Sequence, residues 1–447
     1  MPPFRTSAPR PVLYAALVLA LTLAAPLSAP AAVTFTMEEA VNQALRVNPG
    51  VESARHSLDA AESGRKAARA GFGPSIGLNY GATLYDKDRP ARNAKKEYSY
   101  GVTVSQPLFT GFNLLNAYQK AELQEDEKEL ELENSRLALV GQVQARFLEY
   151  LKAQENIRST RRSLERSRAQ LALARASYEV GARPRLDVLQ AELDVSRNEA
   201  VLIQCENSRD ICRAQLNTLL DLKVDADTDY VGDLKTVPFR GTLDACLERA
   251  FRLRPDLRLA QLAVDIARRD QGMARSAFFP QLAANFKWQS EGDTPRAAGS
   301  RYAGSDYSQW QAGLTASWSI FESGRDYYSA RKEGSNIAAL EARLRGTFND
   351  SAYEIKSCLS SVQDTLRMIE VARRAVASAQ ESYADARMRY ELQLGTNLDL
   401  LTAQSDLAEA ELSLISAQTD YLTALSSLYV AMGEINPGLE SGGRRAG

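Results

Sequence analysis

The sequence predicts a mainly α-helical exported chain with a transmembrane β-barrel portion, written as one structural unit twice. Three observations carry this: a long and nearly gapless internal repeat, four short segments of strict polar–apolar alternation, and proline-free helical runs with heptad spacing.

Residues 1–31 read as a secretory signal and are set aside first. Arg5 and Arg10 give the positive start, Val12 to Ala25 is an apolar run too short to span a bilayer, and Ala29-Pro30-Ala31 offers a small-residue cleavage pattern. The mature chain is expected to begin near Ala32, and no cysteine lies there to carry a lipid anchor. Beyond it no apolar stretch is long enough for a transmembrane helix. The formal net charge of −2 speaks against nucleic acid as a partner. Of the four cysteines, Cys205 and Cys212 are seven apart on a predicted helix, roughly 10 Å along its axis and too far for a disulfide. All four are expected as small buried or half-buried residues.

The repeat lays Thr36, Ala40, Ala44 and Pro49 on Thr242, Cys246, Ala250 and Pro255. The register continues through Phe72 on Phe278, Pro74 on Pro280, Phe109 on Phe321, Tyr178 on Tyr390 and Leu186-Asp187 on Leu398-Asp399. The first unit therefore spans 32–220, a linker 221–241, the second unit 242–432 and a tail 433–447. Each unit reads as short helix, helix, strand, loop, strand, very long helix, turn, long helix.

Strands are expected at about 74–86, 98–109, 280–291 and 309–321. Ile76, Leu78, Tyr80, Ala82 and Leu84 alternate with Ser75, Gly77, Asn79, Gly81 and Thr83, and Trp310, Leu314 and Trp318 alternate with Gln311, Gly313 and Ser317. A barrel wall between lipid and water requires this pattern, although a sheet with one face on a soluble core produces it too. Aromatic residues near strand ends, Tyr80, Tyr98, Trp310 and Trp318, favour a membrane girdle. Four strands cannot close a membrane barrel, since the smallest use about eight, so several chains must share one; three copies would supply about twelve.

From Asn113 to Val180 there is no proline and a single glycine, Gly141, which predicts one helix of about 100 Å or two stacked helices of that total length; the second unit repeats this helical length from Arg325 to about Leu392. The returning helices carry heptads, Leu186, Leu189, Leu193, Ser196, Ala200 and Ile203 in one, and Leu398, Leu401, Ser405, Ala408, Leu412, Ile415, Thr419 and Leu422 in the other. Between the long helices lie turns at 180–187 and 392–399. Gly181 or Gly395 is expected to supply a left-handed exit, Pro184 to start the next helix, and Asp187 and Asp399 to occupy first turns where the dipole favours a carboxylate.

On the duplication, the Pro74 and Pro280 strand starts, the Phe109 and Phe321 strand ends and the paired Tyr-x7-Leu-Asp tips, nearly all of the mature chain resembles the TolC-like outer-membrane factor family. The resemblance implies a homotrimer with a twelve-stranded barrel in outer-membrane lipid and a periplasmic α-barrel. Its tips would form an iris that docks a periplasmic adaptor protein and an inner-membrane transporter of RND, ABC or MFS type. It implies the outer membrane as location and passive export or type I secretion as function.

Carried over, Asp399 and Thr402 fall at the pore constriction, Thr402 standing where a second acidic residue is common. Asp187 and Tyr390 fall at closed-state tip contacts, and Gly181, Ala182 and Arg183 with Leu394, Gly395 and Thr396 at adaptor-docking tips. Simple helix capping is the competing reading of both aspartates. An exported coiled-coil structural or adhesive protein is the competing reading of the whole. No enzyme and no cofactor are expected: the sole histidine, His56, lies in a predicted helix, no cysteine–histidine cluster has metal spacing, and phosphate-binding glycine loops are absent.

Overall fold

The structure is a computed structural model that describes residues 33–86, 96–297 and 307–436. The signal segment, most of the two strand-connecting loops and the end of the tail lie outside the described residues. The first unit runs α1 (Met37–Val47), α2 (Pro49–Ala70), β2 (Ser75–Leu84), β3 (Lys96–Thr110), α3 (Asn113–Glu179) and α4 (Arg185–Leu219), preceded by a short strand β1 (Val33–Phe35). After β4 (Thr228–Tyr230) the second unit runs α5 (Leu243–Leu253), α6 (Pro255–Arg275), β5 (Gln281–Gly292), β6 (Tyr307–Ser317), α7 (Arg325–Glu391) and α8 (Asn397–Ala431).

The strands form one antiparallel sheet in the order β2-β3-β5-β6, so two hairpins are joined edge to edge through β3 and β5. The join is close: a Cβ on Gly101 would lie 2.6 Å from the Trp288 carbonyl oxygen, so only glycine fits there. Register sets whole rows across the sheet. Leu78, Val102, Trp288 and Trp310 make one apolar row, and Asn79, Gly101, Gln289 and Gln309 the next, on the opposite face. Among the described residues no core covers the apolar side: Leu78 is 83% and Leu314 76% exposed. The soluble-core explanation of the alternation therefore fails within this chain. β6 ends at Ser317, short of the expected 321, and the Trp318 indole donates instead to the Phe278 carbonyl at 3.2 Å. The parallel pair of β1 with β4, within the 221–241 linker, was not expected; three residues each are too short to show a period.

At 67 residues each, α3 and α7 are about 100 Å long and run the length of the helical part. Nearest the sheet the helices lie side by side as α2, α3, α6, α7; toward the tips the order is α4, α3, α8, α7. The main core sits between these halves, around Phe147, Leu148, Tyr230, Ile355, Tyr421 and Leu428. Two polar clamps related by the repeat close its ends. Asn48 donates to the Leu219 carbonyl at 3.1 Å and Arg254 to the Ala431 carbonyl at 2.9 Å, each capping the end of a returning helix from the residue before a proline. Arg254 also pairs with Asp256 and Glu354, both at 2.7 Å. Arg254→Ala is expected to cost about 2–3 kcal/mol and Asn48→Ala about 1 kcal/mol, because only the former strands charged partners. Thermal melting of the detergent-solubilised protein, followed by circular dichroism, checks the order.

The heptads do not pack where their spacing suggested. On α8 the row buried within the chain near the tip is Leu400, Ala403, Gln404 and Leu407, while Leu398 and Ser405 are exposed and Leu401, Ala408, Leu412 and Ile415 half-buried; only Thr419 and Leu422 of that heptad are buried. On α4, Leu186, Leu189, Leu193 and Ile203 are exposed. The leucines and Ile203 of the α4 heptad are thus left for contacts outside the chain, whereas the α8 heptad is open only near the tip, at Leu398 and Ser405, and is progressively covered by its own chain further up. All four cysteines are free, Cys246 buried and the others half-buried.

Candidate functional site at the helix tips

Both tips leave the long helix by the same hydrogen bonds. Ala182 N–H reaches back to the Ser177 carbonyl at 2.9 Å, and Leu394 N–H to the Arg389 carbonyl at 2.8 Å. The left-handed residue is Gly181 (φ +74°) in the first tip but Gln393 (φ +63°) in the second. Gly395 does not take this conformation, contrary to expectation; its demand is steric, since a Cβ there would sit 3.2 Å from Arg389 Cβ. Pro184 is the N-cap of α4, one place before the helix proper.

A left-handed non-glycine residue costs roughly 1 kcal/mol. Gln393→Gly is therefore expected to slow amide hydrogen exchange at Leu394 about fivefold, and Gly181→Val to speed it at Ala182 at least about tenfold. Residue-resolved exchange on the assembled protein measures both.

Asp399 is exposed and completes a capping box: its Oδ2 accepts from the Thr396 N–H at 3.1 Å and the Thr396 hydroxyl at 2.6 Å, while its own N–H donates to Thr396 Oγ1 at 3.1 Å. These bonds from Thr396 hold its carboxyl below the usual carboxylate range. Thr402, one turn on, is also exposed. Capping is therefore one function of Asp399 in the single chain. Asp187, by contrast, is only 8% and Tyr390 2% exposed. Burial, and next the Asp187 charge, push the Tyr390 hydroxyl above its ordinary pKa, so it stays neutral. The Tyr390 hydroxyl lies near Asp187 and Gln170, yet among the described residues neither it nor Asp187 Oδ2 completes a hydrogen bond of ordinary geometry.

Of the docking-tip residues, Gly181, Ala182, Leu394 and Thr396 are exposed, Leu394 by 77%, whereas Arg183 and Gly395 are half-buried. Arg183 reaches from the first tip to the second. One guanidinium nitrogen donates to the Tyr390 carbonyl at 3.0 Å, and both contact the Gly395 carbonyl at 3.3 Å.

Above the tips runs a polar seam that the sequence reading missed. Gln170 donates to Asn397 Oδ1 at 2.9 Å, and Asn397 donates to the Asp187 carbonyl at 3.2 Å and to Gln190 at 3.1 Å. One heptad higher, Gln404 donates to Ser167 at 2.6 Å and to Asp194 at 3.0 Å. Its signal was available: Asn397 and Gln404, like Asp187 and Asp194, are seven apart, a second, polar heptad beside the apolar one. Polar core positions fix register at some cost in stability.

The hairpins also differ. Arg161–Glu206, Arg168–Glu199 and Arg175–Glu192, at 3.0, 2.8 and 2.8 Å, zip α3 to α4 at heptad intervals. The matching pairs between α7 and α8 are Arg373 with Gln418, Gln380 with Glu411 and Arg387 with Gln404, which cannot repeat that charge pattern.

Among the described residues no helix is long and apolar enough to cross a membrane, and no group of histidine, cysteine and acidic side chains could hold a metal. Residues 40–221 and 246–434 match the family model described as outer membrane efflux protein. The chain is similar to the outer membrane protein TolC of Vibrio cholerae, at 21% identity over 90% of this chain and 91% of that protein. In structure it resembles the V. cholerae outer membrane protein VceC, with a TM-score of 0.77 and 19% identity over 89% of this chain and 96% of that one. It also resembles the Neisseria gonorrhoeae outer membrane channel MtrE in its open state, with a TM-score of 0.74 and 18% identity over 89% of both chains.

Proposed function

This chain belongs to the outer membrane efflux protein family, and from that premise we propose that it is the passive outer-membrane duct of a tripartite efflux or type I secretion system, gated at its periplasmic helix tips. The family is one of transport proteins and not of enzymes, and its members are proteins of the outer membrane.

The observation that carries the proposal is the uncovered apolar face of the four-stranded sheet, continuous with about 100 Å of helix. β2 and β6 leave open sheet edges, and backbone groups at an open edge cannot remain unpaired in lipid. Identical copies joined β6 to β2 remove both edges, and three of them give about twelve strands. The helical layer has matching open flanks, α2 and α4 on one side and α7 on the other, with the unused heptad row of α4 on the first flank. A homotrimer joined along these flanks buries that row in the α-barrel wall.

In this reading Asp399 and Thr402 face the constriction. Asp187 and Tyr390 complete their unmet hydrogen bonding when hairpins are drawn together. Gly181, Ala182, Leu394 and Thr396 meet the adaptor, which links the duct to an inner-membrane transporter. That an open state exists for the similar MtrE supports a tip that closes and opens. The competing coiled-coil adhesive reading leaves the bare apolar sheet face without a purpose.

Single-channel recording in planar bilayers tests the proposal. A conducting detergent-purified trimer is expected; a monodisperse monomer that is soluble without detergent, or a trimer that never conducts, overturns it.

A further inference from the structure

We propose that Arg183 is an intramolecular latch that fastens the two helical tips of one chain together by capping the C-terminal end of α7 from the opposite hairpin. The last carbonyls of a helix lack partners and carry the negative end of its dipole, so they attract a cation. The basic residues of α7 itself do not serve: Arg389 pairs with Asp385 and Arg387 with Glu391, each at 2.9 Å on its own helix. Arg183 reaches this end from 207 residues away in sequence, donating to the Tyr390 carbonyl at 3.0 Å, which also accepts the Gln393 N–H at 3.1 Å, and to the Gly395 carbonyl in the turn beyond α7 at 3.3 Å. Its guanidinium carbon lies 4.4 Å from the centroid of the Tyr390 ring, a cation–π contact that covers a side chain only 2% exposed.

The geometry needs arginine. A planar fork can meet two carbonyls and a ring face together, whereas a lysine ammonium offers one point of charge on a flexible stem. Arg183 is half-buried between the tips, while Gly181, Ala182 and Leu394 stand outside. It is therefore a positioning residue that favours the tips-together arrangement, distinct from the surface offered to a docking partner. Separating the hairpins breaks all of its contacts at once, so the latch adds to the barrier against opening. This last step rests on the reading of the tips as the gate.

The test uses the full-length protein in lipid nanodiscs for hydrogen exchange and in planar bilayers for resting current. Arg183→Ala is expected to speed amide exchange about tenfold or more in both tips, around Gly181 and also over 389–397, and to raise resting current by a similar factor. Arg183→Lys should recover only part of each effect, and the exposed Arg185→Ala should produce neither. Faster exchange in both tips without extra current leaves the latch standing and overturns the gating role of the tips. Faster exchange confined to the first tip, or no change in exchange, overturns the latch whatever the current does, because a residue that only shapes its own turn cannot loosen the other hairpin.

Discussion

Leu78→Arg is expected to abolish assembly in the outer membrane, whereas Asn79→Arg, its neighbour in sequence, is expected to assemble normally. Leu78 belongs to the row Leu78, Val102, Trp288 and Trp310, and Asn79 to the opposite row with Gln289 and Gln309. If the apolar face meets hydrocarbon, an arginine there costs roughly 2–4 kcal/mol at mid-depth. A three-copy ring repeats that cost in every subunit, about 6–12 kcal/mol in all, comparable to the whole stability of a typical domain. On the polar face the same arginine stays in water. Membrane fractionation and resistance to dissociation in detergent give the readout, with Leu314→Arg as an independent second position. Equal behaviour of Leu78→Arg and Asn79→Arg would mean that the sheet does not separate lipid from water.

Asp399→Lys is expected to reverse the ion preference of the channel from cations to anions, and Asp399→Ala to weaken it. Three copies would bring three Asp399 carboxylates to one axis in a narrow aqueous space, where they attract cations. Reversal potential under a salt gradient is the measurement. The capping box complicates the result in a useful way. Within one chain Thr396 holds the Asp399 carboxyl below the usual range, so the contribution of the cap to tip stability is present above that range and is lost as pH falls through the lowered value. Converging carboxylates repel each other and push the same group the other way. A cation preference that fades at a pH above the ordinary carboxylate range therefore reports convergence. Selectivity unchanged in both variants reduces Asp399 to a helix cap.

The strands were legible because alternation has a period of two and their rows are short. What alternation could not say was whether a core lies beneath, and the exposure of Leu78 and Leu314 answered that. The tip turns were legible as turns, yet the left-handed residue of the second is Gln393 and not Gly395. Glycine content marks a permissive position, but the hydrogen bonds back to Ser177 and Arg389 decide which residue must adopt the conformation. Asp187 and Tyr390 were singled out by resemblance, whereas Asn397, Gln404 and Arg183 as a bridge were not. Their partners lie some 200 residues away, as in Gln170 to Asn397 and Arg183 to Tyr390, and no local period reports such a contact.

By itself the sequence determined the duplication, the order of the elements within each unit, the two-faced strands and the helix lengths, but not the β1–β4 pair, because each of the former follows from local propensity and a period of 2, 3.5 or 3.6 residues. Only the tertiary structure decided how those faces are used. The heptad row of Leu398, Leu401 and Ser405 looks like a core seam in one dimension, yet the chain buries Leu400, Ala403 and Leu407 instead. A long helix with two competing rows can satisfy one neighbour with each, and the choice between them is a packing energy summed over α3, α7 and α8 together, which no single stretch of sequence contains.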